Sequence, residues 1–218
     1  FADLWLRPRL GTDVPLLMGM ARTIVDKNLM DQAFITERCE NFDTFKKSLQ
    51  NFTLDTVTQI TGVPKDKISE AAHIYATNKP ASLLFAMGIT QHSHGTDNVL
   101  AIANLAMLTG NIGSPGSGVN PLRGQNNVQG ACDMGSLPNV FPGYQQTTNE
   151  TVRQKFEAAW NVSLNPTQGL TLTEIFDAAH HKRIKAIHLI GENPILSDPD
   201  ANHVRKALET LEFLVVQD

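Results

Sequence analysis

Pro64-Lys-Asp-Lys-Ile-Ser-Glu-Ala-Ala-His-Ile-Tyr-Ala76, then Ala81-Ser-Leu-Leu-Phe-Ala-Met87, then Asp97 to Leu108 are the three runs that decide the fold. In the first, Ile68, Ala72 and Tyr75 recur at helical spacing, so one face is apolar. The second is a short apolar run behind Lys79-Pro80 with Gly88 at its end, which reads as a buried strand. The third is helical again and stops at Gly110. Upstream, Thr12-Asp13-Val14-Pro15 reads as a helix start: Thr12 is placed to cap free amides, and Pro15 is tolerated in a first turn. That helix should run to about Val25. Shorter helices are expected over Asp31–Arg38, Asp43–Gln50 and Thr53–Ile60. Downstream, Asn149–Trp160, Thr173–His181 and Asp200–Leu208 read as helices, and Ile184–Ile190 and Phe213–Gln217 as strands. Helices alternating with apolar strands predict an α/β fold with largely parallel sheets. Phe1 to Arg9 reads like the middle of a strand and Asp218 follows the end of one, so both ends read as cut from a longer chain.

The 218 residues are enough for one large domain or two small ones. With 41% hydrophobic and 18% charged residues, a buried core is expected rather than disorder. The formal charge of −4, with both signs interspersed, argues against a nucleic-acid partner, which needs a basic face. Cys39 and Cys132 are too few for a disulfide framework and fit a reducing, cytoplasmic compartment, although a periplasmic protein can also carry two. No run of 18 apolar residues occurs, so no membrane span is expected. The first residues lack the basic start and apolar stretch of a signal peptide.

The anomaly is the glycine- and proline-rich stretch from Gly113 to Tyr144. Long segments without regular structure are uncommon in compact domains unless they serve a function. Val119, Leu122, Val128, Ala131, Met134, Leu137, Val140, Phe141 and Tyr144 are candidates to anchor it. Asn120, Gln125, Asn126, Asn127 and Gln129 offer paired donors and acceptors, which suit the edge of a pterin or a guanine. Arg123 adds a planar fork of donors for a carboxylate or phosphate. Gly124, Gly130 and Gly135 permit close approach of backbone to a ligand. The same composition also suits a buried polar loop whose amides satisfy one another.

Asn120-Pro-Leu-Arg-Gly-Gln-Asn-Asn-Val-Gln-Gly-Ala-Cys-Asp-Met-Gly135, with Pro142-Gly143-Tyr144 after it, resembles the molybdopterin oxidoreductase family. Within that family it is most similar to formate dehydrogenase catalytic subunits. Supporting stretches are Gly11-Thr12-Asp13, Met87-Gly-Ile-Thr-Gln91, Leu105 to Gly113, Gly191-Glu-Asn-Pro194 and Val215-Val-Gln-Asp218. The resemblance covers essentially the whole chain but only about a third of such a subunit. It implies Rossmann-like αβα layers with mostly parallel sheet, and parts of two domains of the formate dehydrogenase/DMSO reductase fold. Residues 1–125 would belong to the first cofactor-binding domain and 126–218 to the second, each assembled from separated chain segments.

The resemblance also implies a molybdenum or tungsten bis(molybdopterin guanine dinucleotide) centre, an iron–sulfur cluster, and formate as substrate. Arg123 matches the family's active-site arginine, which holds the formate carboxylate and stabilises charge as the C–H bond breaks. Gln125 shapes the same pocket. Met87, Gln91, Arg123, Gly124 and Gln125 match positions near the pterin. Gly191, Glu192, Asn193 and Ser197 resemble a segment holding a guanosine portion, and Gln217 and Asp218 end a strand where guanine donors are accepted. Taken alone, Met87 reads as core and Ser197 as a helix cap.

The metal's cysteine or selenocysteine ligand, its histidine neighbour and the cluster cysteines lie upstream in the family. No metal ligand is therefore assigned within this chain. Cys39 and Cys132 lack cluster spacing, and Cys132 reads as packing rather than catalysis. His92 and His94 read as solvated or capping, and His180-His181 as complementing a helix dipole. The expected partners are the rest of the catalytic subunit and an electron-transfer subunit or acceptor, and exposed strand edges make a homo-oligomer of this chain conceivable. On its own the chain should be inactive. Two further readings stay open: another molybdopterin oxidoreductase, such as a nitrate reductase, and a noncatalytic assembly module.

Overall fold

The computed structural model describes residues 2–218. The chain divides into two units, Phe1–Gly124 and Gln125–Asp218.

In the first unit, α1 (Asp13–Asp26), α2 (Gln32–Arg38) and α3 (Phe42–Ser48) are followed by a 3-10 turn at Leu49–Asn51. Next come α4 (Leu54–Thr61), α5 (Lys65–Thr77), β1 (Ser82–Phe85), α6 (Met87–Thr90), α7 (Gly95–Thr109) and β2 (Gly118–Pro121). The long periodic helices lie within a residue or two of their expected bounds. Their apolar faces meet in one core: Ala21 and Ile24 of α1, Ala72 and Ala76 of α5, and Leu105 and Leu108 of α7 pack together, with Leu83 of β1 against them. A second cluster joins Val57, Val63 and Ile68 to Leu16 and Met20.

Several local expectations change. Thr12 does not cap α1: its hydroxyl donates backwards to the Arg9 carbonyl at 2.6 Å. Residues 2–9 form no strand, because Arg9 is tied instead to the end of α4, its amide donating to the Thr61 carbonyl at 2.9 Å. Phe1 lies outside the described residues. The strand expected to reach Met87 stops at Phe85. Its parallel partner β2 places Pro121 opposite Phe85, and proline has no N–H to extend a ladder. Leu122 makes the last link, donating to the Phe85 carbonyl at 2.7 Å.

Asp31 caps α2 and ties two distant parts of the first unit together. Its Oδ1 accepts from the Phe34 amide at 3.0 Å, and its Oδ2 from Lys79 Nζ at 3.2 Å. The Phe34 amide holds the carboxyl below its ordinary pKa, and Lys79 adds to this against a partial burial that opposes it. A carboxyl depressed in the folded state contributes stability above its unfolded pKa, and this is lost as pH falls through the folded value. We therefore expect Asp31→Asn to be less stable than the parent at neutral pH, with the difference closing below about pH 4. Denaturant titrations across that range check this.

The second unit holds α8 (Val128–Asp133), β3 (Val140–Phe141), β4 (Gln145–Gln146), α9 (Glu150–Trp160) and α10 (Leu172–His180). It continues with β5 (Ala186–Ile190), α11 (Pro194–Ser197), α12 (Ala201–Glu209) and β6 (Phe213–Gln217). β5 and β6 pair in parallel, as do β1 and β2, whereas β3 and β4 make a two-residue antiparallel hairpin. The fold is thus α/β with largely parallel pairing. On α12, Val204, Ala207 and Leu208 share a helical face that meets Phe176 and Ala179 of α10, with Ile187 of β5 beneath. Asp200 caps α12 by accepting from the His203 amide at 3.1 Å. Alternate residues of β5 are exposed, and all five of β6 are. Among the described residues no helix is long and apolar enough to cross a membrane.

Candidate functional site

In open α/β sheets, ligands bind beyond the carboxyl ends of the strands. Apart from Gln125, the residues singled out above fall into two groups at such ends, one in each unit.

The first group lies at the carboxyl end of the β1–β2 pair. Met87 opens α6 immediately after β1, so it belongs to a short helix and not to the strand. It is 47% exposed, which removes the reading of a core methionine. Gln91 closes the same turn, its amide donating to the Met87 carbonyl at 2.9 Å. Arg123 and Gly124 follow β2, and a Cβ on Gly124 would lie 4.0 Å from Met87 Sδ. Parallel pairing of β1 and β2 thus brings together Met87 and Gly124, which α7 separates in sequence. Arg123 is exposed, and none of the ion pairs among the described residues uses it. A guanidinium with no protein carboxylate is free to take a ligand's.

Gln125 opens the second unit. Residues 120–127 are all exposed, so the buried, self-satisfied amide loop does not form. Nor is the stretch a featureless loop: β2 and α8 lie within it. Of the nine apolar candidates to anchor it, only Val140 is buried, while Leu122 and Met134 are well exposed. Its later part is held by polar contacts. Gln129 Nε2 donates to Tyr144 Oη at 2.6 Å and to Asp133 Oδ1 at 3.1 Å, and the Gly143 amide donates to the Asp133 carbonyl at 2.7 Å. Phe141 then stacks on Phe156, with ring centroids 4.7 Å apart. Gln129 is thus engaged by protein, leaving Asn120, Gln125, Asn126 and Asn127 as the exposed amides without such a contact. Cys132 is a half-buried free thiol on α8.

The second group lies at the carboxyl end of β5–β6. The Gly191 amide donates to the Gln217 carbonyl at 2.8 Å, joining the two strand ends. Gly191 has φ +61°, a conformation that excludes most side chains, and nothing lies within 4 Å of where a Cβ would stand. Glu192 and Asn193 follow, and Asn193 leads into α11. Ser197 ends α11 rather than capping its start, and its hydroxyl lies 3.2 Å from Glu192 Oε1 and 3.1 Å from Asp198 Oδ1. The other Asp198 oxygen is buried without a partner. Gln217 and Asp218 stand exposed at the end of β6. Carboxylates and amides around an open glycine suit the N–H edge of a guanine. In the first group, the exposed amides of Gln91 and Asn120 suit a pterin edge, and the exposed Arg123 suits an anion. Both donor sets fit the cofactor that the resemblance implies.

A cavity of about 430 Å³ in the first unit is lined by Gly11, Val14, Met18, His94, Asp97 and Asn104, among others. His94 occupies the N-cap position of α7 without capping it, and its Nε2 is buried and unpartnered. His92 Nε2 lies 3.0 Å from the Gly88 carbonyl while the ring stays partly exposed. His180 ends α10 as expected, and His181 Nδ1 contacts the Asp177 carbonyl at 2.8 Å.

The molybdopterin oxidoreductase family model matches residues 1–218. The chain belongs to the molybdopterin oxidoreductase family. It is 51% identical over 217 residues to the F420-dependent formate dehydrogenase subunit alpha of Methanocaldococcus jannaschii, covering 100% of this chain and 32% of that protein. Against formate dehydrogenase H of Escherichia coli it is 43% identical over 218 residues, covering 100% of this chain and 30% of that protein. The chain thus spans about a third of the length of these relatives. Among solved structures, acetylene hydratase from Pelobacter acetylenicus is similar with a TM-score of 0.70 at 23% identity, over 99% of this chain and 32% of that one. At that identity the likeness concerns the fold, which this molybdopterin oxidoreductase chain shares.

Proposed function

We propose that this chain is the central part of the catalytic subunit of a cytoplasmic formate dehydrogenase. Its two units would be parts of two cofactor-binding αβα domains, which other segments of the same polypeptide complete. The observation that carries this reading is Arg123, an exposed guanidinium that forms no ion pair among the described residues and lies at the carboxyl end of a parallel strand pair. The identity to formate dehydrogenase subunits along the whole chain supports it.

A bound molybdenum or tungsten bis(pterin guanine dinucleotide) centre would supply two-electron acceptance from formate, and an iron–sulfur cluster elsewhere in the subunit would supply the exit for the electrons. The chain's own residues bind and orient. Arg123 holds the formate carboxylate through paired N–H donors and stabilises charge as the C–H bond breaks. Gln125 shapes the same pocket. Met87, Gln91 and Gly124 line the pterin. Gly191, Glu192, Asn193 and Ser197 hold a guanosine portion, and Gln217 and Asp218 accept from guanine N–H donors. The partner that would take the electrons is a further subunit or a soluble acceptor.

The test compares the full-length subunit with the isolated 218-residue chain in formate-dependent reduction of an artificial acceptor. Turnover by the full-length protein alone is expected. Turnover by the isolated chain would contradict the assignment of the metal ligand to another part of the subunit.

A further inference from the structure

Asn98 is a polar residue that neither the core nor the proposed site accounts for. It sits in the first turn of α7 and is 0% exposed. Its Oδ1 is buried with no hydrogen-bond partner. Leaving a buried acceptor unpaired is costly, so an apolar residue of similar size would serve packing better. What an apolar residue lacks is a donor. Asn98 Nδ2 donates to the Ile89 carbonyl at 2.8 Å.

Ile89 lies within α6, four residues that cannot sustain a helix unaided. The local backbone bonds of this turn are Ile89 N–H to the Ala86 carbonyl and Gln91 N–H to the Met87 carbonyl. A second contact comes from the same end of α7. The Thr90 carbonyl rests so closely on Gly95 that a Cβ there would run into it. α6 is therefore seated on α7 by one side-chain donor and one bare backbone position. Both residues that α6 carries toward the proposed pterin, Met87 and Gln91, are exposed.

We propose that Asn98 is a positioning residue for the pterin: its amide N–H fixes the Met87–Gln91 turn in the orientation that offers Met87 and Gln91 to the cofactor. It acts through the Ile89 carbonyl and touches no ligand itself. The inference rests on the reading of Met87 and Gln91 as cofactor contacts.

Three variants of the full-length subunit test it: Asn98→Asp, Asn98→Leu and Gln91→Ala. The readout is the pterin retained after gel filtration, measured by fluorescence after oxidative release, across about pH 5 to pH 8, where a buried carboxyl titrates. A protonated carboxyl at position 98 can donate to the Ile89 carbonyl, whereas an ionised one cannot and repels it. Asn98→Asp should therefore retain pterin nearly as the parent does at the acid end and lose it about five- to tenfold faster at the alkaline end, the worth of one hydrogen bond. Asn98→Leu should lose it faster at every pH. A parental profile for Asn98→Asp, or unchanged retention by Asn98→Leu, would overturn the proposal. If Asn98→Leu does not fold, the Asn98→Asp profile still decides. Loss of pterin in Gln91→Ala alone would leave the cofactor reading standing and refute the role of Asn98. Full retention by all three variants would refute both.

Discussion

Arg123→Lys in the full-length subunit is expected to lower formate oxidation at least ~10-fold while the pterin stays bound, and Arg123→Ala to lower it ~10²–10³-fold. The lysine variant keeps the charge, so the loss isolates geometry. A guanidinium offers donors in a rigid planar fork that matches both oxygens of a carboxylate, whereas an ammonium is a point charge on a flexible stem. Arg123 is exposed and bonded to no protein carboxylate among the described residues. Its replacement should therefore leave folding nearly unchanged. Steady-state kinetics with measured pterin content separate the two effects. Parental turnover in Arg123→Lys would remove Arg123 from the substrate.

The second large effect is on stability. Phe176→Ala should cost about 3–5 kcal/mol, against the roughly 5–15 kcal/mol that holds a whole domain together. Phe176 is only 4% exposed and is the largest of the four buried side chains in the α10–α12 core, beside Ala179, Val204 and Ala207. Its fully buried neighbours are too short to fill the space it would leave, and the larger Ile187 and Leu208 are only partly buried. We expect amide hydrogen exchange in α10, α12 and β5 to speed up strongly while the Ala21–Ile24–Leu105 core of the first unit stays protected. Equal loosening of both cores would contradict independent cores in the two units.

Elements with their own periodicity were legible in the sequence. α5, α7 and α12 carry apolar residues at helical spacing, and β5 and β6 are short apolar runs bounded by turn residues. Elements made by their partners were not. Gly118-Val-Asn-Pro121 holds a single good strand former, and it is a strand because β1 lies beside it. α6 and α11, at four residues each, depend on what they rest upon. The extent of β1 was misjudged because the proline that ends its ladder lies far away in sequence, at position 121.

The site divides in the same way. Arg123 stood out by its charge among amides, and its exposure agrees with a ligand-facing role. Met87, Gly191 and Ser197 came only from the resemblance, since each alone resembles core, turn or cap. Gln129 belonged with the other amides by composition, and only the tertiary contact to Tyr144 removes it. Asn98 gave no signal at all. It lies in an apolar helix, and its meaning depends on a carbonyl nine residues upstream.

The most direct test of the central claim is turnover by the purified full-length subunit, assayed with formate plus an oxidising dye and separately with nitrate plus a reducing dye. Formate-dependent dye reduction without nitrate-dependent dye oxidation is the expected result. Nitrate turnover without formate turnover would contradict it, leaving a molybdopterin oxidoreductase in which Arg123 serves a different anion.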